Sequence, residues 1–269
     1  MVLPACLVSS SETIQLFDRQ GDVALRLVGH TRGVNAVSWS PDASLLASAS
    51  WDGTVRLWDG SGRCLRVIEG FSDAVESVDF SPAGDLIAAS RDRTIRRLDP
   101  EGPGGKPDGA PVVLATLDCA PSRAAVSPDG RLLAIATEDH YAVLLDRTTG
   151  AQRNVPHPGT VYGVAWSRDG RLATACEDGA ARVFDRDGEP LHQSAASAMR
   201  AVQVAWHPDG VHLTVGLREG KARVLDADLS PVLTIENGKE VTMLAWAPEG
   251  DMLAVGSGKG DLAFWHVLP

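Results

Sequence analysis

One phrase recurs six times along the chain at intervals of roughly forty residues. It has an aromatic or aliphatic anchor, then usually Pro, an acid and Gly: Trp39 with SPDA, Phe80 with SPAG, Val126 with SPDG, Trp166 with SRDG, Trp206 with HPDG and Trp246 with APEG. A segment of that length cannot bury its own apolar faces, so the chain must be an array of one supersecondary unit stacked on its neighbours.

A second phrase follows each anchor: LWD ending at Asp59, RLD at Asp99, LLD at Asp146, VFD at Asp185, VLD at Asp226 and FWH at His266, with LFD at Asp18 ahead of the first anchor. With Gly29-His30 before it and Trp58-Asp59 behind it, the unit at residues 29–59 resembles a WD-repeat β-propeller blade. The resemblance extends over nearly the whole chain. It implies an all-β, seven-bladed WD-repeat β-propeller with incomplete first and last blades, and it says little about activity, because propellers host unrelated functions.

Short apolar runs bounded by turn residues supply the strands. Second strands are expected at Leu45 to Ser50, Leu86 to Ser90, Leu132 to Thr137, Leu172 to Cys176, His212 to Gly216 and Met252 to Ser257; first strands run into the anchors, as in VNAVSW and VYGVAW. Third strands end in the Asp phrases, and fourth strands include ALRLV, CLRVI, PVVLA, AQRNV, PLHQS and PVLTI. One domain over residues 1–269 follows, with blades near 1–28, 29–69, 70–117, 118–155, 156–194, 195–235 and 236–269. Blade one lacks an inner strand and blade seven an outer one, so either two three-stranded blades meet or a partner or second copy supplies a strand to the open edge. The Pro- and Gly-rich stretch at 99–111 is expected to be a loop, either a tolerated insertion or a binding element.

The chain has 269 residues, 44% of them hydrophobic, enough for a large core. A formal charge of -10 argues against nonspecific binding to nucleic acid or anionic membranes, and nothing in the sequence approaches a transmembrane span. Cys6, Cys64, Cys119 and Cys176 show no paired metal spacing and read as cytosolic free thiols. The start, MVLPACLVSSS, faintly resembles a lipoprotein box but lacks a charged n-region, so a cytoplasmic location is expected.

The WD-repeat resemblance implies a structural hydrogen-bonded tetrad of His30, Ser48, Asp52 and Trp58, and a partial one of His157, Thr174 and Asp178, with Phe184 in place of the indole. Phe71, Leu117, Ser197 and Asn237 occupy the other His positions. A Ser-His-Asp set could be read as a hydrolytic triad, but here the hydroxyl is expected to be consumed inside the blade. Arg97 stands where its counterparts are apolar, and Asp79 where they are small. A structural ion pair of Asp79 with Arg97, reaching across Ala88 and Ala89, is the expected compensation; a partner-facing blade is the other account. Arg91, Arg93, Arg96 and Arg97 form a basic cluster that reads as a solvated strand edge or an attractant for an acidic peptide.

The end of the blades carrying the second-to-third strand turns is the usual docking face of the propellers this chain resembles. The turn positions there hold Ser10, Trp51, Arg91, Glu138, Glu177, Arg218 and Gly258. Trp51 is the expected hot spot, with Arg91 and Arg218 next. Asn35, Glu76, Ser122, Tyr162, Val202 and Thr242 enter the inner strands as a mixed collar without repeated ligand chemistry, so no metal and no cofactor are expected; Glu138 and Glu177 are the weak exception. Function is thus expected to be noncatalytic: an interaction scaffold presenting a rim, including Tyr162, to protein or peptide partners. Two alternatives stand beside it: a subunit of an obligate assembly whose propeller is completed in trans, and a small-ligand-binding or metal-dependent hydrolytic propeller.

Overall fold

Turn chemistry sets the hairpins. Ser40 and Ser127 each donate a hydroxyl hydrogen bond of 2.6 Å to the acid two residues on. Each also accepts the amide that opens the next strand, Leu45 N and Leu132 N, both at 2.9 Å. The Asp closing the third-strand phrase caps the following turn. Oδ1 of Asp18, Asp59, Asp185 and Asp226 accepts the amide four residues later, at 2.8 to 3.0 Å, and Asp146 accepts Thr148 N at 2.8 Å. A short acid that bonds its own backbone is favoured at such a turn, which explains why the phrase ends as it does.

The computed structural model describes residues 5–7, 12–18, 21–100, 111–257 and 262–267. Among them are 26 strands and no helix, arranged as antiparallel sheets of consecutive strands. The first sheet has three strands, β1 (Ala5–Leu7), β2 (Thr13–Phe17) and β3 (Val23–Val28). Then come β4 (Val34–Trp39), β5 (Leu45–Ser50), β6 (Val55–Asp59) and β7 (Cys64–Ile68), followed by β8 (Val75–Phe80), β9 (Leu86–Ser90), β10 (Thr94–Leu98) and β11 (Val112–Thr116). The fourth sheet is β12 (Pro121–Val126), β13 (Leu132–Thr137), β14 (Tyr141–Asp146) and β15 (Gln152–Pro156). The fifth is β16 (Val161–Trp166), β17 (Leu172–Cys176), β18 (Ala181–Phe184) and β19 (Pro190–Gln193); the sixth is β20 (Ala201–Trp206), β21 (Leu213–Leu217), β22 (Lys221–Leu225) and β23 (Pro231–Glu236). The last has three strands, β24 (Val241–Trp246), β25 (Met252–Ser257) and β26 (Leu262–His266).

β21 begins at Leu213, one residue later than its periodicity suggests, because the His212 ring and amide are both tied to Asp209 in the preceding turn. Of the loop expected at 99–111, residues 101–110 lie outside the described residues, as do Ser10 and Gly258.

Two compact units divide the chain, Met1–Leu133 with Asp146–Ala151, and Ala134–Leu145 with Gln152–Pro269. In the first unit, apolar clusters fill the space between neighbouring sheets, one around Ile14, Leu27, Leu46 and Trp58 and one around Val55, Val75, Leu86 and Ala88. In the second, Ala175, Val183, Val204 and Val215 form one such layer and Ala222, Ile235, Val241 and Leu253 another. Burying these side chains stabilises each interface by roughly 1.5–3 kcal/mol per large residue.

Inner strands of neighbouring sheets are also stitched by side chain-to-backbone bonds. In the first unit Phe80 N donates to Ser38 Oγ at 3.1 Å and Ala124 N to Ser77 Oγ at 2.9 Å. In the second, β16 and β20 come so close at Gly163 that a Cβ would lie 3.2 Å from Val202 O.

Candidate interaction rim

The tetrad in the second sheet is built from four elements of one blade. Asp52 accepts from His30 Nδ1 at 2.8 Å, so His30 Nε2 is left to accept from Ser48 Oγ, also at 2.8 Å. Ser48 in turn accepts from Trp58 Nε1 at 2.9 Å. The Ser48 hydroxyl is used both as donor and as acceptor, and Ser48 is fully buried, which removes it as a nucleophile. Burial pushes the Asp52 pKa up, but bonds from the Thr54 hydroxyl, His30 and Thr31 N outweigh it and hold the carboxyl at about 2. Burial lowers the His30 pKa despite the nearby carboxylate. Gly29 has its own role: a Cβ there would lie 2.5 Å from Arg56 Nη1 and 3.1 Å from the Trp58 ring.

In the fifth sheet His157 Nε2 meets Thr174 Oγ1 at 2.9 Å, but Nδ1 donates to Val155 O at 2.9 Å rather than to Asp178. Asp178 is held by Arg182, whose Nη1 donates to Oδ1 at 3.1 Å. The pattern repeats in the third sheet, where Arg96 bonds Asp92 at 2.8 Å and stacks over Phe71, 4.6 Å from the ring centroid. Arg96 and Arg182 are therefore not solvated strand-edge residues. Each clamps the turn acid four residues before it, doing for these blades what His30 does for the second. Neither clamp was foreseen from the sequence.

Asp79 and Arg97 do not pair. Both lie opposite Ile87 in the register of β8, β9 and β10, so a fully buried isoleucine, not Ala88 or Ala89, stands between them. Arg97 is exposed. The Asp79 carboxylate instead accepts from Val126 N at 3.0 Å and Ser38 Oγ at 3.1 Å, bridging β12 and β4, with Arg123 as its opposing charge. Burial raises the Asp79 pKa against these bonds and lowers that of Arg123. Arg123 was missed because its partner lies on a different blade, at a separation no repeat pattern encodes.

At the turn-bearing end of the first unit, Trp51 is 41% exposed while its backbone is fixed: Trp51 N donates to Gly33 O at 2.9 Å, and its carbonyl accepts from Arg32 at 3.0 Å. Arg91 Nε lies 3.2 Å from Glu76, which also accepts from Asn35 at 3.2 Å. In the second unit, Arg200 joins two expected rim residues: it lies 2.8 Å from Glu177 and donates to the Tyr162 hydroxyl at 3.1 Å. Arg218 pairs with Glu240 at 3.1 Å. Glu138 is exposed, and its carbonyl accepts from Thr160 at 3.4 Å. Asn35, Glu76, Tyr162, Val202 and Thr242 each sit at a β-bulge, an irregularity that re-aims a side chain at a strand entry.

A WD domain, G-beta repeat model matches residues 21–59, 62–97 and 151–185. A target of rapamycin complex subunit of Schizosaccharomyces pombe is 26% identical over 55% of this chain and 49% of its own length. A protein of Ixodes scapularis named for cytosolic iron-sulfur protein assembly is 33% identical over 59% of the chain and 39% of its own length. Human WD repeat and HMG-box DNA-binding protein 1 is 26% identical over 89% of the chain and 22% of its own length. The chain thus spans half or less of the length of these relatives. Each matched repeat takes in the outer strand of one sheet and the first three strands of the next, these being the second, third and fifth sheets, and the tetrad geometry lies within the first match. What this chain shares with the WD-repeat family is three WD repeats set in an all-β fold of antiparallel sheets.

Proposed function

We propose that this chain is a noncatalytic scaffold, a single array of seven blades with incomplete first and last members, whose turn-bearing rim docks protein or peptide segments in the cytoplasm. The observation that carries this reading is Trp51: a large aromatic, 41% exposed, on a turn whose backbone is fixed on both sides. Such a residue offers apolar area without a backbone ordering cost on binding, the property of an interface anchor. Arg91 in the first unit, and Arg200 and Arg218 in the second, each half-exposed and paired with a glutamate, are charged groups that can exchange partners with an incoming peptide. The polar sets that resemble catalytic groups support the same reading, because their hydrogen-bonding capacity is spent inside the blades.

The test is differential capture from cells of the source. Partners retained by the wild-type chain and lost by a folded Trp51→Ala variant support the proposal; an identical set on both contradicts it. Completion of the three-stranded last sheet by a strand from a partner belongs to the same reading, since β26 forms one edge of that sheet.

A further inference from the structure

The turn between β20 and β21 departs from its counterparts. Where serine donates to the acid two residues on at Ser40, Ser127 and Ser167, this turn has His207. It closes on a second histidine, His212, so the connection between the paired residues Trp206 and Leu213 carries two imidazoles and Asp209. His207 Nδ1 lies 3.0 Å, and His212 Nδ1 2.6 Å, from the same oxygen, Asp209 Oδ2. The three donor atoms fall within 4.8 Å of one another, a grouping of three found nowhere else among the described residues.

Proton placement makes the cluster more specific. His207 Nε2 lies 2.9 Å from Gly250 O, so Nε2 carries the proton and donates. Nδ1 then presents its lone pair 3.0 Å from a carboxylate oxygen, a contact that is repulsive unless a proton or a cation lies between them. The Asp209 amide also reaches His207 Nδ1, at 3.1 Å, a contact an ion would replace. A histidine with one nitrogen anchored on a backbone carbonyl and the other facing an acid has the outer-shell arrangement of a metal ligand. That anchor is enforced. Gly250 has φ of 82°, a Cβ there would lie 2.5 Å from His207 Nε2, and Trp246 packs edge-on against the His207 ring at 4.6 Å.

We propose that His207, Asp209 and His212 form a site for a divalent first-row transition ion, zinc by preference, with a further coordination position open to water or to a donor from a bound partner. Two imidazoles and one carboxylate suit zinc, whereas calcium and magnesium require oxygen ligands. Tetrahedral zinc with nitrogen at about 2.0–2.1 Å separates its ligand atoms by about 3.3 Å, so each nitrogen needs to move less than about 1 Å away from Asp209 Oδ2, and the two imidazole donors, within 4.8 Å of each other, need to close by no more than about 1.5 Å. His212, which now donates to Asp209 from Nδ1, coordinates once that proton moves to Nε2 or to solvent.

Calorimetric titration of zinc chloride into the metal-stripped full chain tests the site, with His212→Ala and Asp209→Asn as variants. The wild type is expected to bind one equivalent saturably, and each variant at least about tenfold more weakly. Zinc is also expected to raise the melting temperature of the wild type alone. Should a variant fail to fold, X-ray absorption of the zinc-loaded wild type decides: two imidazole ligands are expected, and none or four contradicts the site. Absence of saturable wild-type binding, or binding undiminished by both substitutions, overturns the proposal.

Discussion

The hydroxyl of Ser48 serves two partners at once, accepting from Trp58 and donating to His30. Ser48→Ala leaves two buried polar groups unpaired and is expected to cost about 2–4 kcal/mol, measured by urea denaturation. Thr174→Val, which leaves only His157 Nε2 unpaired, should cost about half as much. Both histidines are held neutral by burial, each with its pKa below the ordinary 6.5. Above 6.5 they leave stability unchanged; as pH falls through 6.5 the unfolded chain takes up protons that the folded chain resists, and stability is lost down to the folded pKa. The urea midpoint is therefore expected to drop between about pH 7.5 and about pH 5.5, less steeply in His157→Gln. A midpoint that rises over this range refutes the assignment. At Asp79, substitution by Ala strands Val126 N and Arg123 and should cost about 3 kcal/mol, while Arg97→Ala should stay within about 0.5 kcal/mol. Equal effects would restore the pairing that the intervening Ile87 prevents.

At the scale of the strand and turn, much was legible because the cause is local. Leu45–Ser50, Leu86–Ser90, Leu132–Thr137, Leu172–Cys176 and Met252–Ser257 fall where alternation and turn residues place them. The second-blade tetrad was legible through the WD-repeat resemblance, which assigns these roles to His30, Ser48, Asp52 and Trp58, although most other blades lack the His. What escaped depends on register or on turn conformation. Arg123 meets Asp79 only because β8 and β12 are neighbours; Asp178 turns to Arg182 rather than His157; and His207, Asp209 and His212 converge only once the turn closes. Glycines separate in the same way. Gly179 and Gly84 both have positive φ, 80° and 89°, but a Cβ at Gly179 would lie 2.2 Å from Ser197 O, while Gly84 has nothing within 4 Å. Gly84→Ala should cost about 1 kcal/mol from backbone strain, and Gly179→Ala several times that, read from thermal melts. Equal losses would mean that the close approach to Ser197 is absent in solution.

For the whole molecule, the proposed function rests on a division of labour in which the blades spend their polar chemistry on holding sheets together and the turn-bearing end meets other proteins. The most direct measurement is site-specific photo-cross-linking in cells of the source, with the reactive amino acid placed at Trp51 or, as a control, at Val113, an exposed apolar residue on the outer strand β11. The account predicts discrete protein adducts from position 51 and none of the same adducts from position 113. The same adducts from both positions, or none from position 51 while the protein is folded and abundant, would contradict it.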